Sequence, residues 1–96
     1  MAQINVNTEH LLKIASYIED AGDDLNDYSG NMEKISGNVE SAWKSSSTAT
    51  YVEEIQTVKT NMSKLSREAK DIAKIIRDYV AEIKRIEQEN ANMLKG

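Results

Sequence analysis

Val39-Glu40-Ser41-Ala42-Trp43-Lys44-Ser45-Ser46-Ser47-Thr48-Ala49-Thr50-Tyr51-Val52 is the stretch that decides how this chain folds. Trp43-Lys44-Ser45 separates two long proline-free segments, each with a continuous apolar repeat. Three serines and a threonine, Ser45 to Thr48, supply hydroxyls that can accept from the unpaired N–H groups of a starting helix. Thr50 with Glu53 offers a capping-box spacing should that helix begin later. The stretch therefore reads as the tight turn of a helical hairpin.

Upstream of the turn, Leu11, Ile14, Ile18, Ala21, Leu25, Tyr28, Met32, Ile35, Val39 and Ala42 recur at alternating steps of three and four. That spacing marks a stripe facing a partner helix along its whole length. It predicts a helix over 8–43, capped by Asn7 or Thr8, with Glu9 beside the positive helix end. Downstream, Tyr51, Ile55, Val58, Met62, Leu65, Ala69, Ile72, Ile76, Tyr79, Ile83, Ile86 and Met93 repeat the pattern, interrupted only by Asn90. They predict a second helix over 47–94. At about 1.5 Å per residue the two helices span roughly 50 to 70 Å. Joined by a short turn, they pack antiparallel through the two stripes. The expected fold is all-α, an antiparallel helix-turn-helix hairpin forming one domain over 1–96.

Gly22, Gly30 and Gly37 fall inside the first helix, each costing about 1 kcal/mol relative to alanine. A break at Ala21-Gly22-Asp23 would give three helices. Ala21, Leu25 and Tyr28 carry the stripe in phase across that point, so one helix is expected, softened at Gly22.

A chain of 96 residues buries a modest share of its surface and gains by associating. Leu12, Ala15, Val52, Ala73, Ile75 and Val80 lie beside the two stripes and widen them. With Trp43 and Tyr51 they are the candidate partner or dimer interface, and pairing of two hairpins would make a four-helix bundle. Trp43 has two readings. Its ring is either a plug that closes the end of the hairpin, or, with Lys44 and Ser45, a recognition surface at the tip of a rod.

Other classes lack their parts. The net charge is −4, without the basic stripe that tracks phosphates, so no nucleic acid is expected. No window is apolar for the length of a membrane span, so no stable insertion is expected. Met1-Ala2-Gln3-Ile4-Asn5 has neither a basic nor an apolar signal region, which points to export, if any, without a cleavable signal peptide. There is no cysteine, His10 is the only histidine, and no glycine-rich loop follows a strand. Catalytic, metal and cofactor sites are therefore not expected. Asp23-Asp24 and Glu53-Glu54 are adjacent in sequence, so they point in different directions on a helix and read as solvated surface.

The chain resembles the WXG-100 (ESAT-like) family in Ile4-x-Val6, Thr8-Glu9-x-Leu11, Ala42-Trp43 at the turn and Tyr51 eight residues after the tryptophan. These are small helical hairpins exported by the type VII secretion system, with a Trp-x-Gly turn as their hallmark. Ser45 stands where the family has glycine. That implies a turn without a left-handed residue, or a helix start capped by the serine hydroxyl. One branch carries an export signal of tyrosine followed four residues later by an acid. Here Tyr79 is followed at that distance by Ile83, with Glu82 one residue short. A second tail pattern is met in part by Ile83, Glu87 and Leu94, with Asn90 where an apolar residue belongs.

The resemblance implies a non-enzymatic type VII secretion substrate, or a co-secreted helical partner that binds another helical protein such as the N-terminal helical domain of a larger toxin. Its partners would be a second small helical protein, as homodimer or heterodimer, and the secretion machinery. It would be secreted without a cleavable signal, or cytoplasmic before export. The alternative is a cytosolic coiled-coil adaptor or structural protein unrelated to secretion, since any antiparallel hairpin has the same periodicity.

Overall fold

A computed structural model of the chain describes residues 6–95, and Ile4 lies outside them. Two helices, α1 (Thr8–Ala42) and α2 (Thr48–Lys95), pack along one another as a hairpin in a rod of 77 × 18 × 16 Å. Asn7 caps α1: its backbone is extended and its Oδ1 accepts the His10 N–H at 3.0 Å. Glu9 follows in the first turn, as the positive helix end favours. The helix stops where Trp43 turns extended, at φ −122° and ψ 104°, its N–H still reaching the Val39 carbonyl at 2.9 Å. No interruption occurs at Gly22, so the single long helix expected from the phase of the stripe is the one observed.

The line of contact differs from the expected one. The buried residues of α1 are Ala15, Gly22, Ser29 and Ser36, spaced by seven. Across from them α2 buries Ser66, Ala73 and Val80, again spaced by seven, together with Ile83. If the residues spaced by seven are heptad position a, then Leu11, Ile18, Leu25, Met32 and Val39 fall at d and are half-buried, as are Ile55, Met62, Ala69 and Ile76 of α2, with Ile83 the buried d residue. The remaining stripe residues fall at g. Tyr28, Ile35, Tyr51, Val58, Leu65, Ile72 and Tyr79 there are between 41% and 55% exposed. The expectation that the two apolar stripes close squarely on each other is therefore corrected. Each helix is turned by about one position, so that small side chains meet in the seam and half of every stripe faces outward.

Two features hold that rotation. The first is close approach. A Cβ built on Gly22 would lie 3.0 Å from the Ser66 carbonyl oxygen, and the Ser66 hydroxyl donates to the Gly22 carbonyl at 2.6 Å. Glycine is needed there for the backbones to come together. Gly30 and Gly37 have no atom within 4 Å of the corresponding point. Gly30→Ala and Gly37→Ala should each raise stability by up to about 1 kcal/mol, whereas Gly22→Ala should not. Thermal unfolding monitored by circular dichroism checks this ordering.

The second feature is a polar ladder along one side. Glu19 pairs with Arg77 at 2.6 Å, Asp23 with Lys70 at 3.0 Å and Glu33 with Lys59 at 2.7 Å. Next to them, the Ser29 hydroxyl shares a hydrogen bond with that of Ser63 at 2.7 Å and donates to the Lys59 carbonyl at 3.2 Å. Gln56 Nε2 donates to Ser36 Oγ at 3.0 Å. Among the described residues no buried side-chain polar atom is left without a partner, so the seam hydroxyls carry no desolvation penalty. The Lys59 ammonium, followed by Gln56, holds the Glu33 carboxyl below its ordinary range, and the bond to Glu19 raises Arg77. Such exposed pairs contribute little stability singly. Their effect is on register, since α1 supplies the acids and α2 the bases.

Candidate interaction face and turn

Because the ladder occupies one side of the hairpin, the other side is formed by the d and g residues of both helices. Position g continues the stripe with Ile14, Ala21 and Ala42 in α1 and Ile86 in α2. Tyr17 and Ile75, 69% and 66% exposed, stand two residues after a seam alanine and extend the outer edges of the same side. From Tyr17 to Tyr79, every exposed large apolar side chain outside the turn is on this face or its edge. A continuous apolar surface thus runs almost the full length of the rod, with acids and bases concentrated on the far side. Contiguous surfaces of this kind mark sites of protein association.

At the tip, the Trp43 ring stacks on Tyr51, with centroids 4.8 Å apart and planes inclined by 29°. The tryptophan remains 42% exposed. The turn is closed by hydroxyls: Thr48 Oγ1 donates to the Trp43 carbonyl at 2.7 Å and accepts the Ser45 N–H at 3.1 Å, while Ser45 Oγ accepts the Ser47 N–H at 3.2 Å. No described residue has positive φ. Ser45 therefore fits a turn that asks for no left-handed residue, and its hydroxyl caps a neighbouring N–H. The helix starts at Thr48, ahead of the Thr50–Glu53 pair. An open cleft of about 560 Å³ lies at this end, lined by Glu40, Trp43, Lys44, Ser45, Thr48 and Val52 among others. Since the ring is stacked but half-exposed, Trp43→Ala should cost about 1–2 kcal/mol, less than a fully buried plug would. Denaturant unfolding of the variant measures it.

The residues expected beside the stripes do not form one surface. Ala15 and Ala73 are fully buried and Val80 is 2% exposed, all three in the intramolecular seam, where no second chain can reach them. Val52 continues their line, half-buried near the turn, and Leu12 is half-buried on the ladder side. Ile75, Tyr51 and the exposed part of Trp43 are the members that face outward. The outward residues that sequence reasoning assigned to the seam are Tyr28, Ile35, Val58, Leu65, Ile72 and Tyr79. The signal that separates the two sets is the seven-residue recurrence of small side chains, Ala15-Gly22-Ser29-Ser36, next to the apolar stripe.

The tail residues are likewise divided. Tyr79 is on the open face, Ile83 is 3% exposed in the seam, and Glu82 is held by Arg85 on the same helix. That bond keeps the Glu82 carboxyl below its ordinary range and raises Arg85 further. Glu87 and Leu94 are exposed, on the part of α2 that continues past the start of α1.

Among the described residues no group of three or more histidines, cysteines or acids could hold a metal ion, and no helix is long and apolar enough to cross a membrane. The geometry is that of a hairpin with one apolar side exposed along its length. Residues 3–88 match the family model WXG100, described as proteins of 100 residues with WXG. No curated protein and no solved structure matches the chain. Members of the family are small, non-enzymatic helical proteins associated with type VII secretion. Because the match takes in α1, the turn and α2 as far as Gln88, the chain belongs to the WXG100 family, with Ser45 as the third residue of its turn.

Proposed function

We propose that the chain is a type VII secretion substrate or co-secreted partner that acts by laying its open apolar face along the helices of another protein. The observation that supports this most is the segregation of its surface. Tyr28, Ile35, Val58, Leu65, Ile72 and Tyr79 lie on one side, and the ion pairs between the helices lie on the other. A lone hairpin leaves that face wet, and a second pair of helices would bury it as a four-helix bundle. The exposed turn of Trp43, Lys44 and Ser45 and the α2 extension with Glu87 and Leu94 stay accessible to secretion components in such an arrangement. A larger toxin with an N-terminal helical domain fits the role of partner.

Immunoblotting of culture supernatant, with and without the ATPase of the type VII system, tests the reading. The protein should appear outside the cell only when the ATPase is present. Retention in the cytosol under both conditions would favour a coiled-coil adaptor unrelated to secretion.

A further inference from the structure

We propose that the occupant of the open face is not a second copy of this chain but a different pair of helices, whose apolar stripe is bordered by lysine or arginine. The proposal rests on the docking reading above and concerns what the face selects.

The selecting feature is the border, heptad position c, two residues after Ala15, Gly22, Ser66, Ala73 and the others at position a. It carries Asp24 in α1 and Glu54, Glu68, Glu82 and Glu89 in α2, all exposed, and no lysine or arginine in either helix; Arg85, bonded to Glu82 and Glu89, stands at the neighbouring position f. On the ladder side each of Glu19, Asp23 and Glu33 has a cation within 3.0 Å. Among the described residues Asp24, Glu54 and Glu68 have none, and Glu82 is bonded by Arg85 of its own helix. Lys59, Lys70 and Arg77, which pair across the two helices, do so on the opposite side. The face is therefore apolar at its centre and acidic at its edge.

Two copies can meet face to face about a two-fold axis in two ways. With the axis running across the helices, α2 lies antiparallel on the other α2, and the acidic border meets its own reverse. Where the axis crosses α2 at Glu68, Glu68 falls opposite Glu68 and Glu54 opposite Glu82, whereas half a heptad away Glu68 meets Asn61 or Ile75. With the axis along the helices, the border of α2 meets that of the other α1, which offers Asp24 and, as its only titratable base, His10. Neither arrangement places a lysine or arginine of the opposing border across from the glutamates. Like charges facing each other around an apolar contact reject a partner, and opposite charges recruit one. A helical pair with basic borders satisfies both the apolar centre and the acidic edge.

The test uses the chain and a copy of itself with the border reversed, Asp24→Lys, Glu54→Lys, Glu68→Lys and Glu82→Lys, both checked for helical content. The double variant Glu54→Lys with Glu68→Lys serves if the fourfold one does not fold. In sedimentation velocity at low salt, each chain alone should run as a monomer and their equimolar mixture as a one-to-one complex. The affinity should fall about tenfold or more at high salt. Leu65→Asp in either chain should abolish the complex. A wild-type homodimer as tight as the mixture would overturn the proposal. If Leu65→Asp broke that homodimer, the docking face would stand and only its selectivity would fall. Monomers throughout, in the mixture as well, would overturn the proposal too.

Discussion

Ala73→Asp should unfold the chain, while Ile75→Asp, two residues away, should leave it folded. Ala73 is fully buried in the seam between α1 and α2, and the bases one turn away, Lys70 and Arg77, are already bonded to Asp23 and Glu19. An uncompensated charge in such a place costs about 3–5 kcal/mol, of the order of the whole stability of a small domain. Ile75 points away from the seam and is 66% exposed. An aspartate there meets water, and its effect should stay within about 0.5 kcal/mol. Urea titrations followed by circular dichroism would read both. If the two variants were equally stable, the rotation of α2 described above would be wrong.

Leu65→Asp together with Ile72→Asp should do the opposite: keep the hairpin and lose the partner. Both residues are about half exposed, at the centre of the open face. Their replacement leaves the buried seam residues Ser66 and Ala73 in place and should leave the unfolding midpoint within a few degrees of wild type. In a complex they would be buried, and two carboxylates in the middle of an apolar interface should weaken binding by about 100-fold or more, roughly 3 kcal/mol. The expected readout in the producing cell is a tagged chain that is helical and present at normal level, yet brings down no helical protein and is not exported. Export at the wild-type rate by this variant would separate the open face from secretion.

The contrast between these two experiments also shows where sequence reading reached its limit. The two long helices and the turn at Trp43 follow from local features: absence of proline, apolar repeats in phase through Gly22, and hydroxyls after the turn; the family is legible only as a resemblance, in Ala42-Trp43, Tyr51 and the segment before α1. Each is settled within one or two helical turns of chain. The rotation of the helices about their axes depends instead on what meets across the seam. Apolar stripes two positions wide predict that large side chains turn inward, yet a hairpin has only one contact line. Ala15, Gly22, Ser29 and Ser36 take that line because small residues let the backbones approach, as the 3.0 Å space above Gly22 shows. Serines read as polar, so Ser29 and Ser36, which continue the seven-residue line of α1, and Ser66, which begins that of α2 with Ala73 and Val80, hide among solvent positions. Their hydroxyls are satisfied only by groups on the other helix, Ser63, Gln56 and the Gly22 carbonyl. The charge pattern holds the same information. Acids on α1 after the seam line and bases on α2 mark the closed side, and from it the open side follows.

The absence of native cysteine makes the orientation of the two faces directly measurable. Leu65→Cys and Ser66→Cys place single thiols on adjacent residues, one on the open face and one in the seam, where Ser66 is 3% exposed. Rates of maleimide labelling should be measured on the purified chain at nanomolar concentration, where association is negligible. A thiol at 65 should react at the rate of an unfolded control, and one at 66 should be slower by about 100-fold or more, limited by opening of the hairpin. Equal rates at the two positions, or faster reaction at 66, would contradict a hairpin that closes on its small residues and keeps its large ones for a partner.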